Sequence, residues 1–403
     1  MKEDHFVVIN TGSSVVKVVK GVHDTNKTPQ LTIPTLVGKE VLEQKDNDNA
    51  DLEEENQEAI KKGKQYVFGP QLDEPASELS LIRPVERGWI EDWEALEQLW
   101  RHILVKELKI KRSKNDSPVL LTIPTFWPKD YRERITQFFF ETMNVPGLYL
   151  AEEPLMALYG CGIVSGTVID IGHTYTEITP IIDNTVQYHA AQVLPLGGRD
   201  IDQYLVELLK QDSELCLAYG EEIPVEFARF VKESEICAMN VEPTDEVKDR
   251  AEIEYKSKKF MIGDARFRCA EPLFDPSLVG VQCLSLPEAI HLAIFSCEPE
   301  KRATLWENVI LTGGVSKLKG LKDSLQSSLS PFLANSENLG DNQNREVKFG
   351  KIPDYFTQLK ERTEFASFLG ASIVAKLVFP DPKSHITKVD YNESGPSIIH
   401  TKG

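Results

Sequence analysis

The sequence predicts an α/β protein of two similar lobes, and three observations carry that reading. A strand, a turn of small residues and a second strand open each half of the chain, at 6–19 and again at 167–178. Apolar runs of strand length alternate with helical patterns between and after them. At 403 residues the chain exceeds what one ordinary core accommodates.

The elements follow in order. Phe6-Val7-Val8-Ile9 and Val15-Val16-Lys17-Val18-Val19 are β-branched runs around Asn10-Thr11-Gly12-Ser13-Ser14, which predicts a β-hairpin. The stretch 42–64 holds Glu43, Asp46, Asp48, Asp51, Glu53, Glu54 and Glu55 with few large apolar groups, the composition of a mobile loop. From Ile90 to Leu104, the side chains Trp93, Leu96, Leu99, Trp100 and Ile103 fall at helical spacing behind acidic Glu91 and Asp92, so they predict a helix with a core-facing stripe. Val119-Leu120-Leu121-Thr122-Ile123 reads as a buried strand stopped by Pro124, and Asp130 to Met143 as a helix burying Ile135, Phe138 and Phe139. Thr167-Val168-Ile169-Asp170, then Ile171-Gly172-His173-Thr174, then Tyr175 to Ile178 repeat the hairpin. Residues 242–250 and 334–346 read as surface loops. Two glycine-marked turns close the chain. Gly313-Gly314 follows the strand Val309–Thr312 and precedes a helix starting near Leu318, and Gly370 lies within Phe368-Leu369-Gly370-Ala371-Ser372.

Composition narrows the function. Hydrophobic residues make up 41% and charged residues 27%, the balance of a soluble protein, and no apolar run reaches the ~20 residues a bilayer requires. The first five residues lack the apolar core of a secretory signal, so the chain is expected inside the cell, without a membrane role. Cys161, Cys216, Cys237, Cys269, Cys283 and Cys297 form no CxxC pair, which favours reduced, partly buried thiols over zinc; no metal site is expected. The net charge of -18 opposes direct contact with nucleic acid and favours basic protein partners.

Two small-residue hairpins can present backbone N–H groups to a phosphate chain. A lysine such as Lys17, five residues past Gly12, can meet a phosphate oxygen as a point charge. The turn Gly313-Gly314 lets a base lie against bare backbone. In combination these segments resemble the actin family over nearly the whole chain. VINTGSSVVKVVKG is similar to the first phosphate loop of actins and IDIGHTYTEITPI to the second. LPLGGRDIDQYL resembles the hinge helix, ENVILTGGVSKLKGL the adenosine turn, and ERTEFASFLGASIVAKL the run into the last helices. Within the family, IPDYFTQLKERTEFASFLGASIVAKLVF and ITKVDYNESGP resemble the actin-related subunits of fungal SWI/SNF and RSC chromatin remodellers. The resemblance implies an actin fold: two lobes, each with a mixed sheet of five strands flanked by helices, and a cleft between them. The lobes are expected at 1–155 with 366–403, and at 156–365.

The departures from actin bear on function. The position of the first-loop aspartate holds Asn10, which brings no negative charge to a magnesium shell. The second loop keeps Asp170 but has His173 for its other aspartate. Glu153 replaces the water-orienting glutamine and would repel a γ-phosphate by a few kcal/mol at ~5 Å and an effective dielectric of ~20. Glu364 falls on the adenine-side lysine and Leu318 on an aromatic near the base, while Lys232 and Glu233 match a Lys-Glu pair on the adenine. Arg87 stands where actins carry a modified histidine. The resemblance therefore implies no hydrolysis and no catalytic residue. It leaves open ATP bound without hydrolysis, through Gly12, Ser13, Lys17, Asp170, Gly172, Gly313 and Gly314. Filament formation is disfavoured by the acidic stretch 42–64. The implied role is a nuclear, non-catalytic remodeller subunit that pairs with a second actin-related protein and meets other remodeller subunits. It would bind the helicase-SANT-associated helix of the remodelling ATPase, near Ile386 and Gly160 to Val164 by analogy of fold. An ATP-driven switch and a cytoskeletal or filament-capping protein are the alternatives.

Overall fold

A computed structural model describes residues 3–22, 28–40, 66–73, 79–220, 222–239, 250–334 and 347–402. The acidic stretch 42–64 lies outside them, as do 242–249 and 335–346. The two principal sheets use β1 (Val7–Thr11), β2 (Val15–Lys20), β3 (Leu31–Pro34), β4 (Val119–Ile123), β5 (Gly147–Glu152), β6 (Gly166–Ile171), β7 (Thr176–Ile182), β8 (Thr185–Val186), β9 (Gln192–Leu194), β10 (Val309–Thr312) and β11 (Ile386–Thr387). The helices used below are α1 (Trp93–His102), α2 (Lys129–Gln137), α3 (Glu153–Gly160), α4 (Gly198–Lys210), α5 (Val225–Glu233), α6 (Leu321–Ala334) and α7 (Ala366–Val378). Two compact units emerge: Met1–Ile123, Trp127–Leu150 and Ala375–Gly403 form the first, and Pro124–Phe126 with Ala151–Val374 the second.

The first unit carries a six-stranded sheet in the order β11-β5-β4-β1-β2-β3, one strand more than the five expected. The two outer strands, β3 and β11, have four and two residues, too short to leave a periodic signal. β1 and β4 are buried along their whole length and pair in parallel, Ile9 opposite Leu121. This is why both read as unbroken apolar runs. The N-cap of α1 is Asp92, whose carboxylate accepts the Ala95 N–H at 2.9 Å. The helix thus begins three residues after the expected start, because Trp89–Ile90 is a strand. It buries Ala95, Leu96, Leu99 and Trp100; Trp93 is only half-buried and lies against Tyr131 on α2. The indole N–H of Trp100 donates to Thr11 Oγ1 at 3.0 Å, tying the helix to the end of β1. Both α1 and α2 end in a wider turn, with the Leu108 and Met143 amides reaching back five residues to Ile103 and Phe138.

The second unit carries β8-β7-β6-β10, with β9 also on β7. Ile169 and Ile178 from the sheet and Leu205 and Leu209 from α4 meet in its core. The turn at Gly313, where φ is +86°, passes through a short 3-10 segment, and the following helix α6 starts at Leu321, later than the sequence pattern indicates. Gly370, expected in a turn, is instead inside α7. A Cβ there would lie 1.8 Å from the Met156 carbonyl oxygen of α3, and one on Gly160 of α3 would lie 2.1 Å from the Ala366 oxygen of α7. Close approach of two helix backbones, and not a left-handed turn, is what these glycines provide. All six cysteines are free thiols, four of them buried.

Candidate functional site

In the first unit, the hairpin β1–β2 turns through Gly12-Ser13-Ser14. The Gly12 N–H donates to the Val15 carbonyl at 3.0 Å. The loop is braced from β3's end by Thr35, whose hydroxyl donates to the Gly12 carbonyl at 2.6 Å and whose N–H donates to the Ser14 carbonyl at 2.8 Å. Asn10 faces Lys17 across the antiparallel pair and Thr122 across the parallel one. Its side chain is buried and its amide Nδ2 donates to Thr122 Oγ1 at 2.7 Å. One end of this carboxamide is thereby committed inside the sheet.

In the second unit, the hairpin β6–β7 repeats the design. The Gly172 N–H donates to the Tyr175 carbonyl at 3.0 Å. Asp170 faces Glu177 across the antiparallel pair and Thr312 across the parallel one. The loop's outward carbonyls are capped by α4: Gly198 N–H donates to Gly172 O at 2.9 Å and Arg199 N–H to His173 O at 2.7 Å. A Cβ on Gly197 would lie 2.7 Å from the His173 carbonyl, which explains the first glycine of the Gly-Gly pair in LPLGGRDID. Asp170, Gly172 and Gly313 come together here. A Cβ on Gly313 would lie 2.3 Å from the Ile171 oxygen and 2.5 Å from Asp170 Oδ1, whereas Gly314 is open.

The positions matched to the adenine side are occupied by internal pairs. Lys232, on α5, holds Asp202 at 2.6 Å and donates to the Gly198 carbonyl at 3.0 Å. Asp202 is fully buried and is also bound by Arg229 at 3.1 Å. Glu233 is exposed. Glu364 is buried and paired with Arg362 at 3.1 Å. With Leu318, Lys317, Lys319, Lys322 and Thr363 it lines a depression of about 290 Å³. Arg87 sits in a left-handed turn of the first unit, φ +50°, ahead of Gly88, whose carbonyl accepts the Trp127 indole N–H at 2.8 Å.

One residue escaped the sequence reading. Glu177 is 2% exposed, yet its Oε1 accepts from the Thr125 N–H at 3.3 Å, from the Thr125 hydroxyl and from the Thr179 hydroxyl at 3.2 Å. Burial pushes its carboxyl up to about 7, with the Glu153 carboxylate adding to the rise and the threonine hydrogen bonds opposing it. The phenol of half-buried Tyr175 is held well above its usual range by desolvation and by the charges of Glu153, Glu177 and Asp170. The available signal was spacing: Glu177 follows Asp170 by as many residues as Lys17 follows Asn10.

Comparison with known proteins agrees with this architecture. The sequence profile of actins matches residues 1–403. The chain is 30% identical to the SWI/SNF and RSC complexes subunit arp9 of Schizosaccharomyces pombe, with 100% of this chain and 99% of that protein covered. It is 27% identical to actin-related protein 7 of Oryza sativa subsp. indica, over 98% of this chain and 99% of the relative. Identity to actin-related protein 7 of Arabidopsis thaliana is 30% over 80% of this chain and 85% of the relative. With matched glycine hairpins in both units and a profile spanning its full length, the chain belongs to the actin family.

Proposed function

We propose that this protein is a non-catalytic actin-related subunit of a nuclear chromatin-remodelling complex. It pairs with a second actin-related protein and binds the helicase-SANT-associated helix of the remodelling ATPase. The full-length likeness to a fungal remodeller subunit supports the assembly role. The net charge of -18 suits a basic helical ligand. The segment Gly160 to Val164 contributes through its exposed end, since Val164 is 53% exposed while Gly160 is spent on helix packing.

The observation that carries the non-catalytic reading is the Asn10–Thr122 hydrogen bond. A neutral amide, half committed to the sheet, replaces the anion that a magnesium shell draws on. The other residues fit a hydrolytic magnesium–nucleotide complex no better. His173 is not a hard oxygen ligand, Lys232 is neutralised by Asp202, and Glu364 is paired with Arg362. A second reading, ATP bound without hydrolysis, draws on the packing of Asp170 against Gly313 and on the amide-bearing loops with Lys17.

The test is gentle affinity purification from the native cell, followed by mass spectrometry of partners and of nucleotide released on denaturation. A remodelling ATPase and a second actin-related protein in equal amounts, with little ADP released from the complex on denaturation, is the expected result. Stoichiometric ADP without chromatin proteins would refute it.

A further inference from the structure

Glu177 sits where the chain makes a three-residue excursion. β4 ends at Ile123 in the first unit, Pro124–Phe126 pack with the second unit, and Trp127 is back in the first. Within the second unit, Thr125 is fastened by its N–H and its hydroxyl to one oxygen of Glu177, and the ring of Phe126 meets Tyr175 edge-on at 5.5 Å and 90°. A buried carboxyl, with an aromatic contact beside it, therefore fastens the excursion to the second unit.

From these contacts we infer that Glu177 is a proton-controlled latch for the crossing segment Pro124–Phe126. The groups that face it are acids: Glu153 at the start of α3, Asp170 directly across the β6–β7 pair, and the phenol of Tyr175. With its proton bound, Glu177 carries no charge to set against them, and the threonine contacts hold. Once ionised, it is a desolvated anion beside other anions, and any opening that admits water to it is favoured. The carboxyl pushed up to about 7 in place relaxes toward its ordinary value of 4.5 when hydrated. Linkage then fixes the direction: opening grows as pH rises between those two values and levels off above the upper one. No covalent change is involved; one proton leaves to solvent.

The experiment is hydrogen–deuterium exchange on the full chain from pH 5.5 to 8, corrected for intrinsic rates, following peptides across 122–128 in wild type and Glu177→Gln. The glutamine keeps the side chain's size and an acceptor oxygen but cannot titrate. Wild-type protection of this segment should fall by about tenfold or more across the range, while Glu177→Gln stays flat and peptides across β10 change in neither protein. Flat or rising wild-type protection, or a pH dependence that survives in Glu177→Gln, would overturn the latch. Should Glu177→Gln prove unfolded, Thr125→Val is the second variant. It removes the hydroxyl and not the carboxyl, and that hydroxyl favours the ionised form, so Thr125→Val should exchange faster than wild type by a margin that widens as pH rises; parallel or converging curves would overturn the latch equally.

Discussion

In the first hairpin Asn10 faces Lys17 on one side and Thr122 on the other; in the second the same register places Asp170 between Glu177 and Thr312. The turn hydrogen bonds are alike, Gly12 to Val15 and Gly172 to Tyr175, each at 3.0 Å. The chemistry is not. A neutral amide and a cation occupy one pair, and two carboxyls occupy the other. Main-chain hydrogen bonds and a parallel third strand fix each hairpin's shape, so the side chains at these positions could diverge without cost to the backbone. The exits also differ. Thr122 leads to Ile123, whereas Thr312 leads to Gly313 at φ +86°.

That last contrast gives the largest expected effect. Gly313→Ala forces a Cβ into the Ile171 oxygen at 2.3 Å at a left-handed position, and should cost about 4 kcal/mol or prevent folding, whereas Ile123→Ala costs about 2–4 kcal/mol through lost burial alone. Urea melts of the two variants distinguish them, and a mild Gly313→Ala would mean the turn relaxes. Next is Glu177→Gln. The folded carboxyl is raised from 4.5 to about 7, so wild-type stability falls as pH climbs through that window. At pH 8 the glutamine variant should be more stable by up to about 3 kcal/mol, and the gain should vanish near pH 4.5. An equal gain at both pH values would exclude titration of Glu177 as its source.

A smaller pair sharpens the comparison at the parallel strands. Thr122→Val removes an acceptor of the buried Asn10 amide and should cost about 1–2 kcal/mol in thermal unfolding. Thr312→Val removes only a hydroxyl that donates to the Thr363 carbonyl at 2.8 Å and should cost about 1 kcal/mol. The smallest effect belongs to Asp170→Ala. If nucleotide is not needed for assembly, partner affinity measured by titration should change by less than tenfold, about 1.4 kcal/mol.

Much of this architecture was legible because it rests on period and punctuation. Both hairpins, β4, and the stripe Leu96, Leu99, Trp100 follow from apolar spacing alone. What stayed hidden depends on contacts between residues distant in sequence. Gly370 read as a turn because glycine serves both positive φ and close approach, and only Met156, far upstream, tells which. Glu177 stayed unread inside the returning strand, since TYTEITPI alternates and nothing local reveals that both faces of β7 are covered. Lys232 matched a cation on the adenine side, but its neutralisation by Asp202 on another helix is a fact of packing.

The glycine contact between α3 and α7 also bears on how the chain is made. Gly160 and Gly370 stand about two hundred residues apart, and neither helix can complete its packing before the other exists. On the ribosome, α3 emerges with its bare backbone face uncovered and keeps it so until α7, about two hundred residues later, has been synthesised. Such late, non-local closure slows folding and prolongs the exposure of unfinished surface. The nascent protein is therefore suited to being held by a chaperone until α7 arrives, and truncation just short of residue 366 should yield a product that folding factors retain.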